Sequence, residues 1–176
     1  MSSPLELMVA SFDGENEAAD VLKKLKTLDR KQVIHLVNAA VLAKNAQGKF
    51  HLYETEDINP AQGAVFGAIA GGLLGLLGGP AGVVVGAAAG AAVGGVTAGQ
   101  VDMGFENDTL AAFESSLVDD SSALIALVEH RWADQLEQAL QTFSDDLFRH
   151  ALNEETSKTI WERLKPSAGG PVVKGE

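Results

Sequence analysis

The chain has 176 residues, 24 acidic against 13 basic side chains, a formal net charge of −11 and no cysteine. The carboxylate surplus repels nucleic acid and anionic lipid headgroups, because phosphate binding rests on Lys and Arg. The missing thiols exclude disulfides, zinc fingers and thiol catalysis, and the length sets a single domain as the expectation.

The opening "MSSPLELMVASFDGE" has no basic region and no long apolar core, so it does not read as a signal peptide. Residues 5–12, "LELMVASF", read as a first strand instead. Asp13 is the expected N-cap of the helix that follows, where acids crowd the first turn and lysines the last. Ala18, Val21, Leu22, Leu25 and Leu28 fall at helical spacing and predict one buried face. "VIHLVNAAVLAKN" reads as a long strand, "AQG" as a turn and "KFHLYETED" as a returning strand. The first third is therefore β-α-β-β.

Beyond residue 101 the pattern resumes. "NDTLAAFESSLVDD" places Leu110, Phe113 and Leu117 on one helical face, and "SSALIALVEH" reads as a buried strand. "RWADQLEQALQTF" predicts a second amphipathic helix with Trp132, Leu136, Ala139, Leu140 and Phe143 as its stripe. "DLFRHALNE" alternates as a strand, "ETSKTIWERLK" reads as a short helix, and "PSAGGPVVKGE" as a frayed tail. Trp132 and Trp161 are expected in the core.

A shift of 115 residues brings the two halves into partial agreement. Ala18, Val21 and Leu25 meet Ala133, Leu136 and Leu140; Val33, His35, Val37 and Asn38 meet Phe148, His150, Leu152 and Asn153. Each half reads as strand–helix–strand. Two such units side by side predict an α+β, ferredoxin-like sandwich with helices on one sheet face. The expected organisation is a first half over 1–58, an insertion over 59–101, a second half over 102–165 and a flexible tail over 166–176.

The insertion contains the uncharged stretch 63–99, "GAVFGAIAGGLLGLLGGPAGVVVGAAAGAAVGGVTAG". Gly63, Gly67, Gly71, Gly75 and Gly79 are spaced by four, as are Gly82, Gly86, Gly90 and Gly94. On a helix this spacing keeps a side-chain-free groove on one slowly drifting face. "GGP" at 78–80 breaks the run, so the expectation is a hairpin of arms 61–79 and 81–99, each about 28 Å long, close to the hydrocarbon thickness of a bilayer. In water each interior glycine costs such a helix about 1 kcal/mol relative to alanine. Lipid, close packing through the glycine faces, or both must compensate. Phe66, Ile69, Leu73, Leu74, Leu76 and Leu77 suit the first arm to face lipid; the Ala/Gly-rich second arm is expected to be shielded.

The whole pattern resembles a family of bacterial and archaeal proteins, domain of unknown function 1269 (DUF1269). The stretches carrying the resemblance are 7–28, 39–55, the Gly/Ala hairpin and, most specifically, "GFENDTLAAFESSLVDDSSALIALVE" at 104–129. The resemblance implies an α+β domain interrupted by a glycine-rich hairpin. It supplies no activity, and stress-associated labels on some members imply a stress-related role. One departure is local: the family pattern has Pro-Gly before the double serine, where this chain has Asp119-Asp120.

No catalytic set emerges. His35, His51, His130 and His150 form no HxH or HxxxH spacing, there is no GxSxG elbow, and no Walker-type lysine follows a glycine loop. His35 and His150, related by the repeat, are read as ordinary sheet histidines rather than a metal or pH-sensing pair. The acids at the hairpin feet (Glu54, Glu56, Asp57, Asp102, Glu106 and Asp108) read as solvated surface rather than a cation collar, with Asp108 as an N-cap. The expectation is no enzyme, cofactor or metal site. The expected protein is membrane-associated and self-assembling, anchored by a glycine zipper with its α+β domain on the cytoplasmic side; its partners are itself and the bilayer. The alternatives are a soluble cytoplasmic ring, shell or filament with hairpins bundled in a dry core, and a small-ligand or cation sensor.

Overall fold

In a computed structural model, residues 4–54, 115–144 and 146–164 are described. They form an α+β domain: β1 (Leu5–Asp13), α1 (Glu17–Arg30), β2 (Leu36–Lys44), β3 (Phe50–Glu54), β4 (Ser121–Glu129), α2 (His130–Gln141), β5 (Leu147–Ala151) and α3 (Glu154–Leu164). The five strands make one antiparallel sheet in the order β3-β2-β4-β1-β5. The two halves of the chain interleave. β4 sits between β1 and β2, and β5 pairs on the outer side of β1.

Period-two alternation sorts β1 onto two faces. Leu5, Leu7 and Val9 join one apolar cluster, with Leu42, Ile125 and Leu127, while Met8, Ala10 and Phe12 join another. β4 is buried along its whole length, with Leu124, Ala126 and Val128 on the second face. Central strands that are apolar on both sides need cover on both sides. On the second face lie Val21, Leu22 and Leu25 of α1 and Ala133, Leu136 and Leu140 of α2. The repeat helices therefore share a face, as expected. The final helix does not join them: Ile160 and Trp161 of α3 pack with the first cluster.

Several local expectations are corrected. Asp13 is the last residue of β1, and the N-cap position of α1 is Asn16, which makes no side-chain cap bond. Ser122 of β4 caps the helix instead, its Oγ accepting from the Ala18 N–H at 3.0 Å and donating to the Gly14 carbonyl at 2.7 Å. Gly14 has φ +99°, which turns the chain between strand and helix. β2 begins at Leu36, not at Val33. The residues before it close α1: Gln32 N–H bonds the Asp29 carbonyl and Val33 N–H the Leu28 carbonyl, a Schellman closure with Gln32 at φ 58°. Val33 is left 52% exposed. The 115-residue offset aligns the helix cores but places Leu36 against Ala151, the last residue of β5. Val33/Phe148, His35/His150, Val37/Leu152 and Asn38/Asn153 are thus not equivalent strand positions.

The β2–β3 hairpin turns where "AQG" predicts it, with Asn45 Oδ1 accepting from the N–H groups of Gln47 and Lys49 and Gly48 at φ +74°. Asn153 caps α3 by accepting from the Thr156 N–H at 2.8 Å. Phe143, expected on the α2 stripe, lies beyond the helix and is 38% exposed. Both tryptophans are half-buried against the apolar clusters.

The Asp119-Asp120 departure has a backbone consequence. Asp120 has φ 58°, the left-handed region that glycine occupies without steric cost. Asp120→Gly is expected to stabilise the domain by up to about 1 kcal/mol, measured as a raised urea midpoint with an unchanged m-value.

Candidate functional site

The most concentrated chemistry in the described residues gathers where β1 begins. Glu6 falls on the same face of β1 as Met8 and Ala10, at the edge of the α1/α2 cluster, and is 2% exposed. Arg149 stands opposite Met8 across the β1–β5 ladder and reaches the same carboxylate. Its Nε donates to Glu6 Oε2 and its Nη2 to Oε1 at 3.1 Å. Its Nη1 reaches α2, donating to Asp134 Oδ1 at 2.7 Å and Glu137 Oε2 at 2.6 Å. His130, the first residue of α2, donates from Nδ1 to Glu6 Oε1. The His130 backbone N–H bonds the Pro4 carbonyl, and the Leu152 N–H bonds the Leu5 carbonyl.

Burial alone would raise the Glu6 carboxyl pKa. Hydrogen bonds and charge from Arg149 and His130 outweigh it and hold the group below the ordinary carboxylate range. Arg149 is raised above its ordinary value by its bonds to Glu6 and Asp134. A planar fork engaging three carboxylates, one of them buried, ties β1, β5 and α2 together. Both Glu6 oxygens are engaged, so the arrangement is built to hold rather than to move a proton.

A second feature lies at the opposite end of β1, where that strand gives way to α1. An open cavity of about 370 Å³ is lined by Ser11, Asp13, Glu17, Ser116, Phe143, Ser144 and Asp146. Ser11 and Ser116 share a hydroxyl hydrogen bond at 2.8 Å, and the Ser144 hydroxyl donates to the Ser11 carbonyl at 2.6 Å. Lys24 Nζ lies 4.7 Å from the centroid of the Phe143 ring.

The residues expected to mediate helix packing or to face lipid all lie outside the described residues. These are Gly63, Gly67, Gly71, Gly75, Gly79, Gly82, Gly86, Gly90 and Gly94, with Phe66, Ile69, Leu73, Leu74, Leu76 and Leu77. Glu56, Asp57, Asp102, Glu106, Asp108, Leu110 and Phe113 lie there too. Among the described residues, no helix is long and apolar enough to cross a membrane, and no group of three or more His, Asp or Glu side chains is placed to hold a metal ion. His35 and His150 are not brought together. His35 lies in the connector before β2 with its Nδ1 3.5 Å from Asp29, and β2 is separated from β5 by β4 and β1, about 14 Å at ordinary strand spacing.

The profile of the DUF1269 family, described as a protein of unknown function, matches residues 59–165. The chain belongs to this family. No curated protein and no solved structure matches it. The match spans the glycine-rich stretch together with β4, α2, β5 and all of α3, so the matched range includes the positions of Arg149 and His130 but begins after Glu6.

The Glu6 cluster was not legible as a motif, because its members stand 124 and 143 residues apart. Arg149→Ala is expected to destabilise the domain by about 3 kcal/mol, since it leaves Glu6 buried beside Asp134 and Glu137 without its main counter-charge. Denaturant titration measures this. The Glu6 carboxyl is depressed in the folded state, so its contribution is complete above the unfolded value of about 4.3 and is lost as pH falls through the folded value. Glu6→Gln should therefore flatten the acid limb of stability against pH. An acid limb as steep as that of the native chain would refute the assignment.

Proposed function

We propose that this DUF1269 protein is a non-enzymatic, membrane-associated scaffold that assembles with copies of itself through a glycine-zipper hairpin. Its ferredoxin-like domain stays on the cytoplasmic side. The observation that carries the reading is the interleaved sheet. Because β4 pairs between β1 and β2, the uncharged 63–99 stretch leaves and re-enters one folded domain. A stretch so tethered at both ends suits a re-entrant or hairpin insertion with both flanks on one side of a bilayer. The ferredoxin-like description is supported by the order β2-β4-β1-β5, with β3 added at the edge and α1 and α2 sharing a face. A stress-related role belongs to the same proposal.

The glycine spacing favours close backbone approach in lipid, where small residues let helices pack at short distance. The test is light scattering on full-length protein purified with and without mild detergent. A small discrete species in detergent and aggregation without it is the expected result. A large discrete particle without detergent would instead favour hairpins bundled in a soluble assembly. Gly71→Leu and Gly90→Leu each place a branched side chain in the groove and should reduce the particle mass in detergent. Native-size particles from both variants would remove the zipper from the account.

A further inference from the structure

The charge on the described surface is divided by position along α1. Its C-terminal end and the turn after it carry Arg30 and Lys31, both exposed, followed by the exposed Val33. Gln32 between Lys31 and Val33 is held at φ 58° by the Schellman closure, which fixes the backbone of this tip. At the other end the 370 Å³ cavity is bordered by the exposed carboxylates of Asp13, Glu17 and Asp146 and by Phe143, itself 38% exposed. Among the described residues, no ion pair is formed by those three carboxylates. Lys24 stacked on Phe143 shows that this ring already accepts an ammonium group.

Tip and cavity cannot satisfy each other within one copy. The 14 residues of α1 hold them about 21 Å apart, beyond a Debye length at 0.1 M salt. We propose that the Arg30–Val33 tip of one copy docks in the Asp13/Glu17/Asp146 cavity of the next, joining copies head to tail. The cationic side chains enter the acid-lined cavity, and Val33 packs beside Phe143, whose ring already meets Lys24 of its own copy. These are two of the large hydrophobic side chains left exposed among the described residues. A second copy is the favoured occupant over an anionic lipid surface because a chain of net charge −11 repels such a surface as a whole, yet presents carboxylates to its own basic tip. Contacts of this kind join different surfaces on the two copies, so they build rings or filaments rather than a closed two-fold dimer. The contact uses no residue of 59–101. It deepens the self-assembly part of the proposed function, adding a salt-sensitive joint to the zipper.

The test is a charge exchange on the full chain in mild detergent, with mass followed by light scattering from low to high salt. It is run in the native background and again with Gly71→Leu. The tip variant is Arg30→Glu with Lys31→Glu; the cavity variant is Asp13→Lys with Asp146→Lys. Circular dichroism confirms that both fold. Each alone should associate at least tenfold more weakly at low salt, and an equimolar mixture should recover association, because the reversed tip then meets a reversed cavity. A mixture no better than its components would overturn the proposal, as would native association indifferent to salt in the Gly71→Leu background. Flotation with anionic vesicles that is lost in the tip variant, without any change in self-association, would assign the tip to lipid and likewise overturn it. Recovery in the mixture when Gly71→Leu has no effect of its own would leave the joint standing and remove the zipper.

Discussion

Everything in the described domain depends on β4 docking between β1 and β2. β4 is buried at all nine positions and paired on both edges, so neither half of the chain has a complete sheet without the other. The interposed chain is long, but loop-closure cost grows only logarithmically, about 0.6 kcal/mol for each doubling of length. Nonpolar burial on both faces of three central strands outweighs such a term easily. That is the physical reason the fold tolerates a large insertion at this point.

Two further devices fasten the same arrangement. Ser122 reaches from β4 to cap α1, so helix and sheet register are set together. The Glu6–Arg149 pair binds the outer strand β5 to β1 while the other arm of the guanidinium holds α2. A buried carboxylate is costly unless its counter-charges stay in place, so this cluster penalises any displacement of β5 or of the start of α2. It acts on geometry, and it lies at the start of β1, whereas the open acidic cavity lies where β1 ends.

Much of the fold was legible from residue spacing. The burial of Ala18, Val21 and Leu25, and of Ala133, Leu136 and Leu140, follows directly from helical periodicity, and β4 follows from an unbroken apolar run. Boundaries failed for one distant and two local reasons. Asp13 has the chemistry of an N-cap, but the cap is Ser122, 104 residues from the amide it serves. Val33 and His35 look like strand residues, but the helix closure at Gln32 takes Val33, and β2 begins only at Leu36. Phe143 matches the α2 stripe by spacing, but the helix ends before it. The side assigned to α3 could not be read from its own amphipathic pattern, which states that one face is buried and not against which surface.

By itself the sequence determined the α+β class, the strand–helix–strand pairing of both halves, the family and the uncharged glycine-spaced stretch. Each of these is written in local periodicity or composition. Only the tertiary structure decided that the halves interleave, that α3 crosses to the other face, and that Glu6 meets Arg149 and His130. It also decided that a basic tip and an acidic cavity stand at opposite ends of one helix. These depend on which strand edges and faces meet across the chain, and the covalent order of residues carries no direct signal of that meeting.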